Sequence, residues 1–206
     1  AEKTYGETKT LQREGFTMSM NPLFAGDKIY ELEMLCDALP ATAQVAHYPI
    51  VATQAIGMGV SNYDIQFVPG NFVVHPKAIT VSAINNTKTY GTAITPTGTE
   101  FYIAPNALVG VDAIGTVELQ STAFAIGANV GNHAIVINNA TGHRLSNYNI
   151  SYNNATFTVD KKNVEISILP ITKTYGETYT FTGKEFIADK SQFIDNDSVN
   201  TLQLAS

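Results

Sequence analysis

Tryptophan is absent from this chain, and cysteine occurs once, at Cys36. A lone thiol excludes an intramolecular disulfide and any multi-thiolate metal site. Charge is sparse: 12 Lys and Arg face 18 Asp and Glu, for a net charge of −6. No Lys/Arg cluster stands out, which argues against nucleic acid, since phosphates need a concentrated cationic face. No apolar run is long enough to cross a bilayer, so no membrane span is expected in this segment. The opening residues do not read as a signal peptide, and a leader removed ahead of Ala1 is compatible with that. Gly-rich phosphate loops and nucleophile elbows are missing. The four histidines, His47, His75, His133 and His143, show no metal-ligand spacing. The expectation is therefore a protein that is not an enzyme and has no cofactor.

What the chain does have is self-similarity. Lys-Thr-Tyr-Gly occurs at Lys3–Gly6, Lys88–Gly91 and Lys173–Gly176, so the period is 85 residues each time (88 − 3 and 173 − 88). Sliding the chain by that period superposes Asp27, Asp112 and Asp197, and also Phe16, Phe101 and Phe186. Ser61–Ile65 (SNYDI) meets Ser146–Ile150 (SNYNI), and Phe72–Ile79 (FVVHPKAI) meets Phe157–Val164 (FTVDKKNV). A fixed period of this kind is the mark of a repeat architecture.

Each copy reads mainly as strand. Ile79–Ala83, Thr116–Ser121, His133–Asn138, Tyr148–Tyr152 and Val164–Leu169 alternate apolar with polar or small residues. Asn153-Asn154 and Gly70-Asn71 are hairpin signals. Helical evidence is confined to a turn or two near Asn21–Gly26 and Asn106–Gly110. The fold class expected is mainly β: tandem β-rich small domains in an elongated array, with a two-layer α+β variant carrying one short helix per repeat left open. The buried parity flips between Phe72/Val74 and Ile79/Val81, and again between Phe157/Val159 and Val164/Ile166. A strand keeps one parity on its buried face. The flips, with Pro76 beside the first, place borders that give a first repeat at 1–76, lacking its first strand, a complete second repeat at 77–161 and a partial third at 162–206. On this reading the chain is a cut from a longer array whose end strands pair with a neighbour.

The run of Lys-Thr-Tyr-Gly, the Asp112–Ile114 region, Val130–Ile135 (VGNHAI), Leu145–Tyr152 (LSNYNISY) and Thr156–Ile166 (TFTVDKKNVEI) resembles the MBG domain of the YGX type. The resemblance covers the middle copy end to end, most of the first and the opening of the third. Such modules stand in tandem in large bacterial surface and adhesin-like proteins. The resemblance implies a secreted, cell-surface location and a structural, spacer-like role that projects a distal binding region. It carries no catalytic residues over.

The residues themselves give the motif a structural meaning. Gly6, Gly91 and Gly176 supply a corner that a side chain resists. Tyr5, Tyr90 and Tyr175 offer rings for burial with a hydroxyl that needs a partner. Lys3, Thr4, Lys88, Thr89, Lys173 and Thr174 complete the three copies. The expected partners are neighbouring repeats of the same protein. The alternative is a module that binds glycan or a host surface protein through a groove lined by Tyr48, Tyr63 or Tyr148. Two further chemistries rank lower: a Ca²⁺ site at Asp195–Ser198 with Asp189, and a Lys–Asn or Lys–Asp isopeptide bond involving the recurring lysines and Asn62 or Asn147.

Overall fold

The computed structural model describes residues 1–19 and 23–205. In chain order the strands are β1 (Glu2–Thr4), β2 (Lys28–Leu35), β3 (Ala46–Met58), β4 (Gly70–His75), β5 (Lys77–Ala83), β6 (Asn86–Thr89), β7 (Phe101–Ile103), β8 (Ala113–Gln120), β9 (Gly131–His143), β10 (Tyr148–Asn153), β11 (Ala155–Asp160), β12 (Ile166–Ile168) and β13 (Phe186–Ala188). The protein is mainly β. Helical structure among the described residues is limited to 3-10 turns at Val60–Asn62, Thr122–Phe124, Leu145–Asn147 and Lys190–Gln192. The expected helical turn at Asn21–Gly26 lies partly outside the described residues. Asn106–Gly110 is not helical, because Asn106 has φ 60°, a left-handed conformation that no right-handed helix admits.

The chain divides into two compact units that both draw on the long strands β8 and β9. The first comprises 1–81, 102–117 and 139–152; the second comprises 82–101, 118–138 and 153–206. The sequence period and the compact units are thus different partitions: one counts residues, the other follows packing.

In the first unit, a four-stranded sheet runs β1-β4-β3-β2. β1 pairs with β4 in parallel, while β3 pairs antiparallel with both β4 and β2. The outer strand β2 carries Lys28, Glu31 and Glu33 and has register shifts at Ile29/Glu31 and Glu33/Met34. Charges and bulges of this kind blunt an exposed sheet edge. A second sheet runs β10-β5-β7. The core gathers Tyr5, Ala38, Phe72, Val74, Ile79 and Tyr148. Each large apolar side chain taken from water here contributes about 1.5–3 kcal/mol. The parity flip at Pro76 marks the passage from β4 in one sheet to β5 in the other; Phe72, Val74 and Ile79 still bury in one cluster.

In the second unit, β6 pairs in parallel with β11, and β11 antiparallel with β9, within the order β6-β11-β9-β8. Phe157 and Val159 of β11 pack with Ala123, Ala128 and Ile135. Phe124 stands edge-on to Phe157 at 5.8 Å between ring centroids. β12 and β13 form a two-stranded antiparallel ladder.

Candidate functional site

The first two copies of the Lys-Thr-Tyr-Gly motif place their lysine, tyrosine and glycine in matching hydrogen-bonded corners. Lys3 and Thr4 sit in β1, Lys88 and Thr89 in β6. Tyr5 and Tyr90 then donate their backbone N–H to His75 O and Asp160 O, 2.9 Å in each case. Gly6 and Gly91 follow with φ 94° and 89°, which a residue with a Cβ resists.

The lysines turn inward. Lys3 is 3% exposed and Lys88 6%. Lys3 Nζ donates to Glu7 O at 2.9 Å and to Pro40 O; Lys88 Nζ donates to Thr92 O at 2.7 Å and to Ala125 O. Each acceptor lies one period from its counterpart, so the ammonium ties the same loop to the same corner twice. Loss of hydration lowers both lysine pKa values; at Lys3 the charge of Glu7 works the other way. Carbonyl oxygens, rather than an amide or acid side chain, are the hydrogen-bond partners here, and an isopeptide bond needs the latter. Asn147, 2% exposed, is engaged elsewhere: its Oδ1 accepts from Val45 N–H at 2.9 Å and its Nδ2 donates to Arg144 O at 3.2 Å.

The tyrosine reaches a carboxylate from the following repeat. Tyr5 OH donates to Asp112 Oδ2 at 2.7 Å, and Tyr148 OH donates to the same oxygen at 2.7 Å. Val109 N–H donates to Tyr148 OH at 2.8 Å. The two rings meet edge to face, 5.4 Å apart at 84°, a favoured aromatic geometry. The group is buried: Tyr5 is 1% exposed, Asp112 7% and Tyr148 8%. Among the described residues, Asp112 Oδ1 has no hydrogen-bond partner. Burial and then the Asp112 bond push both phenol pKa values up.

The same parts recur one period on either side. Tyr63 OH donates to Asp27 Oδ2 at 2.7 Å and accepts from Phe24 N–H at 2.7 Å. Tyr90 OH donates to Asp197 Oδ2 at 2.8 Å. The aspartates sit on one turn written three times: Asp27, Asp112 and Asp197 N–H donate to Phe24, Val109 and Ile194 O at 3.0, 3.1 and 3.0 Å. The third motif stands apart. Lys173 and Thr174 are exposed, Tyr175 is fully exposed, and Gly176 keeps φ 89°.

The other residues singled out from sequence fall as follows. Asp189 accepts from Ser191 N–H and so caps the turn at Lys190–Gln192. Asp197 serves Tyr90, and no three His, Cys, Asp or Glu side chains gather among the described residues. Tyr48 OH donates to Gln44 O at 2.9 Å.

The sequence reading missed a second repeated device. Glu100 accepts from the N–H groups of Thr97, Gly98 and Thr99, and Glu185 from those of Thr182 and Lys184. Burial raises the Glu100 pKa but those bonds outweigh it; at Glu185 the Thr182 bonds take it down to about 2. The signal was present as Thr-Gly-Xaa-Glu-Phe at 97–101 and 182–186. The first copy has Gly15 at the equivalent place.

No curated protein and no solved structure matches the chain. One family model does: residues 79–158, the span that runs from β5 into β11 and contains the second Lys-Thr-Tyr-Gly motif, Asp112 and Tyr148, match the MBG domain (YGX type).

Proposed function

We propose that this chain is a structural spacer segment of a bacterial cell-surface, adhesin-like protein, secreted and built of repeats that project a distal binding region. The proposal assigns it no catalysis and no cofactor. The observation that carries it is where the buried polar chemistry lies. Tyr5 of one repeat is held by Asp112 and Tyr148 of the next, so the most buried hydrogen bonds serve a junction between repeats, not a cleft. The family match supports a repeat module of surface proteins.

Small-angle scattering on the dilute chain tests the reading. A single globule of this length has a radius of gyration of about 17 Å. A spacer exceeds that clearly, and a value at or below it refutes the proposal. The alternative, a glycan- or host-protein-binding groove, has less support because the hydroxyls of Tyr48, Tyr63 and Tyr148 already donate to Gln44, Asp27 and Asp112. Saturable binding on a glycan array, abolished by Tyr48→Ala, would restore it.

A further inference from the structure

Two stretches of the chain open and close on strands that lie side by side and run the same way. β6 pairs in parallel with β11, with Asn86 opposite Phe157, Lys88 opposite Val159 and Thr89 opposite Asp160. β1 pairs in parallel with β4, with Glu2, Lys3 and Thr4 opposite Val73, Val74 and His75. Further bonds prolong each pair. Tyr90 N–H donates to Asp160 O and Tyr5 N–H to His75 O, both at 2.9 Å. At the other end of β6, Asn85 Oδ1 accepts from Thr156 N–H at 2.8 Å; beside β1, Ala1 O accepts from Val73 N–H at 2.9 Å.

Parallel pairing decides how such strands respond to tension. The chain reaches β6 at its N-terminal end and leaves β11 at its C-terminal end, and in a parallel pair these ends point opposite ways. A pull along the chain therefore slides β6 and β11 past each other. The bonds between parallel strands are evenly spaced, so sliding strains them together. A pull on two ends at the same side opens them one by one. Lys88 adds to the resistance. Its buried ammonium is held by Thr92 O and Ala125 O, so sliding β6 also drags a charge away from Ala125 O without returning it to water. Lys3 of β1 is held likewise by Glu7 O and Pro40 O.

We propose that β6–β11 and β1–β4 are mechanical clamps, and that bearing tension along the chain is a function of this fold. While a clamp holds, the residues between its two strands stay folded and the chain keeps its length under load. The inference rests on the spacer reading for the source of the load, a binding region held at one end and a cell at the other. The two fail separately. Scattering decides the shape, and the dependence of rupture force on pulling direction decides the clamp.

Single-molecule force spectroscopy on the full chain tests it, with Cys36→Ser so that only introduced thiols carry handles. Handles at Ile84→Cys and Lys161→Cys load β6 and β11 from opposite ends, in shear. Handles at Thr92→Cys and Lys161→Cys load the same two strands from the same end. All three positions are exposed, and a defect from the shared substitutions would weaken both geometries alike. The shear pair should rupture at a force at least about twofold higher, because its evenly spaced bonds fail together rather than in turn. Asn85→Ala removes the bond to Thr156 N–H at the end of β6 remote from Thr92. It should lower the shear force and leave the same-end force unchanged. Equal forces in the two geometries overturn the proposal. So does an Asn85→Ala variant that weakens both geometries alike, or neither.

Discussion

Replacing Asp112 by alanine removes the acceptor of two hydroxyl hydrogen bonds at once. Both run to Oδ2 at 2.7 Å. Hydrogen bonds to a charged group contribute about 1.5–3 kcal/mol each. The Tyr148 hydroxyl keeps its bond from Val109 N–H. The Tyr5 hydroxyl, 1% exposed, becomes a buried donor whose carboxylate acceptor is gone, at a cost of about 1–3 kcal/mol. Against this stands relief: a buried carboxylate with Oδ1 unpartnered carries a desolvation penalty of several kcal/mol. The balance is a destabilisation of about 2–4 kcal/mol. Asp112→Asn keeps an acceptor oxygen and should lose only about 1–2 kcal/mol. Urea unfolding followed by tyrosine fluorescence measures this directly, because no tryptophan masks the signal. A cycle with Tyr5→Phe isolates the pair, and a coupling of about 1–2 kcal/mol is expected between groups in direct contact. The repeat-equivalent Asp27 is half-buried and holds one tyrosine, so Asp27→Ala should lose less than about 1 kcal/mol. If Asp112→Ala and Asp27→Ala cost the same, or the Tyr5–Asp112 coupling vanishes, the junction is not what holds consecutive repeats.

Further outcomes follow from the same geometry. Lys88→Met strips the carbonyls of Thr92 and Ala125 of their donor while ending the burial of a charge, so a net loss of about 1–3 kcal/mol is expected in the same unfolding assay. A Cβ on Gly142 would lie 2.0 Å from Ala113 O, a backbone atom that cannot swing aside; Gly142→Ala should lower the urea midpoint by at least the equivalent of about 1–3 kcal/mol. Tyr5 and Tyr148 have folded-state pKa values above their ordinary value. Their contribution is therefore fully present below about pH 10 and is lost as pH rises through the folded-state values. Tyrosinate absorbance should show these two ionising together with alkaline unfolding. Glu185 works at the other end. Its pKa is lowered to about 2, so its contribution is present above the ordinary Glu range and fades as pH falls toward 2; the acid limb of the stability curve should flatten in Glu185→Gln.

The strands were legible because burial alternates with period two, and Phe72, Val74, Phe157 and Val159 are buried as their spacing requires. The repeat was legible because identity at Lys, Thr, Tyr and Gly survives shifting by the period. The use of the aspartates was not legible. Asp27, Asp112 and Asp197 coincide in the repeat, but a carboxylate's role depends on what faces it. Tyr5 reaches Asp112 across 107 residues, a separation about which periodicity says nothing. The same holds for the lysines. A charged residue in a short strand suggests a solvated edge, and only the fold brings Pro40 O and Glu7 O around Lys3 Nζ.

Parity carried a subtler lesson. A flip in the buried face suggests a border between domains where one core owns one face. At Pro76 the chain leaves one sheet and joins another while Phe72, Val74 and Ile79 stay in a common cluster. A parity change reports that the backbone has turned relative to the core; whether the core itself has changed is decided by which side chains meet. In the first unit the side chains that meet come from different repeats, with Tyr5 and Phe72 of the first packing on Ile79 and Tyr148 of the second, whereas Ala123, Ala128, Ile135, Phe157 and Val159 of the other cluster all belong to the second repeat. The second repeat thus holds one cluster of its own and shares the other with the first. At the shared cluster the first repeat is completed by Ile79 of β5 and by Tyr148 from the second, and that junction is as much the interior of the protein as the repeat is.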